Sequence, residues 1–94
     1  SLYGAKLKNT DLSNSNLREV TLDSANLEGT DLTNTNLEDS FAFSAQFQDV
    51  KIYGADFTNV YLTKDVLREF CKKADGINSF TNRKTIDTLD CGWF

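Results

Sequence analysis

Two cysteines, Cys71 and Cys91, and fourteen carboxylates are the side chains with the widest chemical scope in this 94-residue sequence, and no histidine stands beside any of them. Histidine is the commonest general base and the commonest metal ligand, so its absence removes Ser-His-Asp and Cys-His constellations and most zinc sites together. No glycine-rich phosphate loop occurs either. The cysteines stand twenty residues apart, a spacing unlike a C-x-x-C redox pair, and two thiolates are too few for structural zinc. Three arrangements remain for them. A disulfide leads, because closing a loop of that size stabilises a fold by about 3 kcal/mol in the chain-entropy picture. Buried free thiols come next and a reactive pair last. The expected catalytic, cofactor and metal sets are all empty, and with them any small-molecule substrate.

The remaining reactive groups make sense only once the elements that position them are found, and those elements repeat. Every fifth residue from Leu2 is Leu7, Leu12, Leu17, Leu22, Leu27, Leu32, Leu37, Ala42, Phe47, Ile52, Phe57 and Leu62. Two places earlier in each unit the residue is small or β-branched: Ala5, Thr10, Ser15, Val20, Ala25, Thr30, Thr35, Ser40, Ala45, Val50, Ala55 and Val60. A period of five matches neither a 3.6-residue helix nor an alternating strand. If four five-residue sides make one coil, residues twenty apart stack, giving inward columns such as Leu2/Leu22/Ala42/Leu62, Leu7/Leu27/Phe47, Leu12/Leu32/Ile52 and Leu17/Leu37/Phe57. Glycine and asparagine recur two places after the centre, at Gly4, Asn9, Asn14, Gly29, Asn34, Gly54 and Asn59, as corners with positive φ would require.

With those columns in view, residues 2–62 resemble the pentapeptide-repeat family motif A(D/N)LXX. The resemblance implies an all-β solenoid: a right-handed quadrilateral β-helix of about three coils, with the centre and the small residue facing inward. A dozen inward Leu and Phe side chains would contribute about 20 to 35 kcal/mol before chain entropy is subtracted. An uncapped solenoid also exposes unpaired edges. Ser1 and Leu2 begin in register with the repeat, so the expectation at that end is a truncation, a missing segment, or pairing of the open first coil with another chain.

After Leu62 the period lapses. Val66, Leu67, Phe70, Cys71 and Ala74 follow helical spacing, with Thr63 as N-cap, Asp65 in the first turn, Lys72 and Lys73 in the last, and Gly76 as terminator. Thr81 or Asn82 reads as the cap of a second short helix through Thr85, Ile86 and Leu89. Residues 1–62 are therefore expected to form the β-helix and 63–94 a helical cap, together one structural domain. The pattern of LREFCKKADG followed by NRKTIDTLDC resembles the thylakoid-lumen and cyanobacterial pentapeptide-repeat proteins with a two-cysteine helical cap. That implies the thylakoid lumen or a periplasm, oxidising compartments that permit the disulfide; a cytoplasmic location is the alternative. The chain opens with neither Met nor a basic and apolar leader, so any targeting segment is expected to have been removed or never present.

Under the twenty-residue stacking, Glu19, Asp39 and Asn59 form one surface column and Asp11, Asp31 and Lys51 another. Both read as solvated faces, the first with a weak divalent-ion site as its chemical alternative. The ladders Asn14/Asn34 and Asn16/Asn36 read as turn and inter-coil hydrogen bonds. Phe41, Phe43, Tyr53 and Tyr61 are more informative, because they flank inward centres where the repeat otherwise places Asp, Asn, Lys or Glu. They form either a docking patch for a protein partner or, the favoured arrangement, a surface covered by Trp93, Phe94 or the cap.

The net charge of −4 argues against nucleic acid as a ligand. No apolar run approaches the roughly 20 residues of a spanning helix. The expected role is a non-enzymatic structural or protein-interaction module with no cofactor and an unidentified protein partner. The family resemblance also implies an alternative, a DNA-mimicking inhibitor of an enzyme such as gyrase; a short, mildly acidic rod with a basic cap speaks against it.

Overall fold

The computed structural model describes residues 1–94. Parallel bridges join residues twenty apart: Lys6 with Asn26 and Asn26 with Gln46, Asp11 with Asp31 and Asp31 with Lys51, Asn16 with Asn36 and Asn36 with Asp56, and Thr21 with Phe41. Each five-residue side is stitched both ways. The Leu27 N–H donates to the Gln46 carbonyl at 2.8 Å, while the Asn26 N–H donates back to the Ala5 carbonyl at 2.9 Å. Within the unit the Thr30 N–H returns to the Leu27 carbonyl at 2.9 Å and closes the corner. Four such sides fill twenty residues, so the fifth-residue column always arrives inside. The result is a β-helix solenoid.

The corners explain the turn column and extend it. Every residue two places after a centre, from Gly4 to Asn59, has positive φ, including Glu19, Ser24, Asp39, Ser44 and Asp49. A left-handed conformation costs a residue with a side chain roughly 1 to 2 kcal/mol. In the first two coils that cost is offset because the same residue's N–H points along the solenoid axis to a carbonyl: Glu19 to Glu38 at 3.0 Å, Ser24 to Phe43 at 3.0 Å. Gly29 has a second reason, since a Cβ there would lie 2.0 Å from Asn9 Oδ1.

Leu22, Leu27, Leu32, Leu37, Phe47, Ile52 and Phe57 are buried, and Ala25, Thr30, Thr35, Val50 and Ala55 fill the gaps between them. The centres of the first coil, Leu2, Leu7, Leu12 and Leu17, are half-buried and pack against this core from one side only. Two hydroxyls of the small column find a carbonyl of the preceding coil: Thr35 Oγ1 donates to Leu12 at 2.7 Å and Thr30 Oγ1 to Leu7.

At Tyr61 the chain leaves the ladder, and α1 (Lys64–Lys73) forms as the helical spacing predicts. Leu67 and Phe70 are its buried residues, and the Phe70 ring meets Phe57 at 5.0 Å and Phe47 at 5.4 Å. Thr63 occupies the N-cap, but its side chain makes no capping bond; the Leu67 N–H reaches its carbonyl instead, at 2.9 Å. The helix ends at Lys73 with Ala74 extended, so Gly76 is a turn residue beyond the helix and does not terminate it.

The expected second α-helix is absent. Asn82 adopts φ 61° and its N–H closes a tight loop onto the Asn78 carbonyl at 2.8 Å, with Ile77 bridged antiparallel to Lys84. The β-branched run that follows supports only single 3-10 turns, Thr85–Thr88 and Cys91–Trp93.

The layered burial makes a graded prediction. Leu32→Ala in the closed core should cost about 3 to 4 kcal/mol, and Leu7→Ala in the half-open first layer less than half as much. Urea unfolding midpoints of the two variants measure the difference, and equal losses would contradict the layering.

Candidate functional site

The aromatic residues singled out by position do not form one group. Phe41, Phe43 and Tyr61 share a side of the solenoid, and each is more than 60% exposed. The Phe43 and Tyr61 rings lie 6.5 Å apart at an interplanar angle of 26°. Tyr3 belongs to the same column as Phe43, two coils earlier, and is also exposed. Between Phe41, Phe43 and Tyr61 runs a shallow cleft of about 370 Å³ whose remaining walls include Asp23, Ser40 and Asn59. Asp23 Oδ1 accepts the Phe43 N–H at 2.7 Å and so fixes that residue's backbone in the row above it.

Tyr53 sits ten residues from Phe43, half a coil away, and therefore on the opposite flank. Its ring lies against Gly76, where a Cβ would come within 2.8 Å of the ring while φ is +85°. Glycine is needed there on both counts.

The expectation that Trp93, Phe94 or the cap covers the aromatic patch is corrected by the structure. Both C-terminal rings are exposed, and each is held by a cation of α1: Lys64 Nζ stands 5.0 Å from the Trp93 ring centroid, and Arg68 stands 5.1 Å from that of Phe94. Trp93 Nε1 also donates to Asp90 Oδ2 at 2.8 Å. The cap turns its polar contacts toward the other side.

Those contacts form a clasp that sequence reasoning missed. Asn78 is completely buried; its Nδ2 donates to the Gly54 carbonyl at 2.9 Å and the Thr35 carbonyl at 3.2 Å. Its Oδ1 accepts the N–H groups of Phe80 and Thr81 at 3.0 and 3.1 Å. Beside it the Ser79 N–H donates to Asn34 Oδ1 at 2.8 Å, and the Gly54 N–H to the Asp75 carbonyl at 2.8 Å. Arg83 completes the clasp, its Nε 2.9 Å from Asp56 Oδ2 and its Nη2 2.8 Å from Glu38 Oε1. Asp56 and Asn36 belong to a polar column that is mostly solvated elsewhere, and here both are buried. Desolvation, the largest single influence on Asp56, raises its carboxyl; the hydrogen bonds from Thr58, Thr81 and Arg83 together outweigh it and hold the group below 3.8. Arg83 is pushed up in turn by its bond to Asp56.

Several other carboxylates are committed locally. Asn59 Nδ2 donates to Asp39 Oδ1 at 2.9 Å, and Arg18 reaches Glu19, Glu38 and Asp39 at 3.5, 3.6 and 3.8 Å. The Glu19/Asp39 edge is an ion-pair network. Asp11 is lowered chiefly by the Ser13 hydroxyl, 2.6 Å from its Oδ1, and by the Ser13 N–H. The Asn34 Nδ2 donates to Asn14 Oδ1 at 2.9 Å, while Asn16 and Asn36 each accept the N–H two residues ahead. Cys71 and Cys91 form a disulfide, Cα atoms 5.8 Å apart, tying α1 to the last 3-10 turn.

The family model for pentapeptide repeats matches residues 1–39 in 8 copies. Residues 1–39 carry pentapeptide repeats. It is also similar to the thylakoid lumenal 15 kDa protein 1 of Arabidopsis thaliana chloroplasts, 49% identical over 45 residues, which are 48% of this chain and 20% of that protein. The crystal structure of a pentapeptide repeat protein from the Arabidopsis thaliana thylakoid lumen superposes with a TM-score of 0.91 at 40% identity, covering 97% of this chain and 63% of that one. The chain thus spans less than two thirds of the length of either relative. No helix in it is long and apolar enough to cross a membrane.

Two predictions follow from the clasp and the staple. Asp56 titrates lower folded than unfolded, so its contribution to stability is complete above pH 3.8 and is lost as pH falls below that value through the folded one. The stability gap between wild type and Asp56→Asn should therefore be flat from pH 7 to about pH 4 and narrow below it; a gap unchanged at pH 2.5 would contradict this. Reduction, or Cys91→Ser, should cost about 3 kcal/mol in denaturant unfolding. Alkylation of the unreduced, unfolded protein should add no mass.

Proposed function

We propose that this chain is a non-enzymatic structural and protein-interaction module whose rigid solenoid presents the face centred on Phe41, Phe43 and Tyr61 to a protein partner. The observation that carries the reading is the placement of three large rings, each more than 60% exposed, on one side of a rigid ladder where most sister positions hold polar groups. Contiguous apolar surface on a folded domain is characteristic of docking sites. The clasp supports the same reading, because the cap spends its contacts on another flank and leaves this face open. We read the solenoid as right-handed with about three coils, in keeping with the family, and residues 1–62 and 63–94 as one structural domain joined by the clasp.

The disulfide and the lumenal relatives favour an oxidising compartment, the thylakoid lumen or a periplasm, as the place of action. Tyr53 lies against Gly76 on the opposite flank and so stands outside this face.

The test is site-specific cross-linking in the native compartment. A photoreactive phenylalanine analogue at Phe43 should give a discrete adduct, and the same group at Ser13 on the opposite flank should not. Identical adduct patterns from both sites would contradict the reading. Phe41→Ser with Phe43→Ser should abolish adduct formation from Tyr61 while changing the free energy of urea unfolding by no more than about 0.5 kcal/mol, as exposed positions allow.

A further inference from the structure

Resting on that reading of the face, we infer that the cleft between Phe43 and Tyr61 receives an arginine side chain from a basic segment of the partner. Ring faces attract cations, and a guanidinium stacks on them while pairing with a carboxylate at its edge. The cleft offers both elements: the rings of Phe41, Phe43 and Tyr61, and the carboxylate of Asp23. One Asp23 oxygen is fixed by the Phe43 N–H, which holds the group in place and leaves the other oxygen as acceptor.

What the cleft lacks is a cation of its own. Seven of the fourteen carboxylates, Asp23 among them, have no Lys or Arg within ion-pair distance, and Asp23 is the one that lines this cleft. In the cap, Trp93 carries Lys64 and Phe94 carries Arg68, whereas no cation of the chain stands over Phe41, Phe43 or Tyr61. No Lys or Arg lines the cleft. The wider field has the matching sign: residues 1–62 hold four basic and nine acidic side chains, a net charge of −5. A basic segment is steered to such a surface and an acidic one is repelled.

The experiment titrates the full chain with two capped pentapeptides, Gly-Arg-Gly-Arg-Gly and Gly-Leu-Gly-Leu-Gly, while following side-chain NMR resonances. The arginine peptide should shift the Phe43 and Tyr61 ring signals, and Asp23→Asn should weaken that binding about tenfold. Asn keeps the acceptor for the Phe43 N–H, so the fold is retained, and an unchanged thermal midpoint verifies it. Asp11→Asn, on the opposite flank, should leave the affinity unchanged. Equal weakening by Asp11→Asn would reduce the effect to the general acidic field and overturn the inference. Equal binding of the leucine peptide would overturn it too while leaving the docking face standing. Ring signals that move with neither peptide would count against both.

Discussion

The five-residue sides of this protein are held to the sides twenty residues away by parallel pairs of backbone hydrogen bonds, and everything else hangs on that ladder. A net bond contributes only about 0.5 to 1.5 kcal/mol, so no single rung is decisive. Their common register is what matters. A slip of one residue would turn every Leu or Phe centre out of the interior and every corner residue out of the one conformation that points its N–H along the axis. The interior is too narrow to absorb such a slip, which is why its second column holds nothing larger than valine.

The same register decides which surface groups meet. Phe41 and Phe43 flank one inward centre and Tyr61 begins the unit twenty residues on, so they share a face. Asp23 lies one row below Phe43 and can accept its N–H. Glu38 and Asp56 lie in neighbouring columns one row apart, close enough for a single guanidinium from the cap to bridge both. The cap adds no independent core of comparable size. It lays Leu67 and Phe70 over the last coil and then reaches down one flank with Asn78 and Arg83, and the disulfide holds its final turn to α1.

Much of this was legible in the residues. Period five left one winding that puts all the large centres inside, and the helical spacing from Val66 to Phe70 marked α1 because apolar positions three and four apart can face a single surface. The corner column was only partly legible: Gly and Asn announce positive φ, whereas Glu19, Ser24 and Asp49 adopt it because the ladder demands it. The clasp was not legible. Asn78 and Arg83 sit in a segment without periodicity, and their partners lie dozens of residues earlier, so nothing local distinguishes them from solvated side chains. Thr81 and Asn82 carried a helix-cap signature, but the Asn78 carbonyl captured the Asn82 N–H and closed a tight turn instead. Tyr53 was grouped with the other rings because it too flanks an inward centre, and the half-coil separation puts it on the opposite flank, against Gly76. Trp93 and Phe94 remained outside because α1 supplies cations for both.

The most direct test of the register is an isotope-edited NOE spectrum of the folded chain. The account predicts inter-coil backbone contacts at separations of 19 to 21 residues for every unit from Leu2 through Asp56, with the contacts of Tyr61 and beyond departing from that spacing. Contacts at any other constant separation, or a ladder that lapses before Asp56, would contradict it.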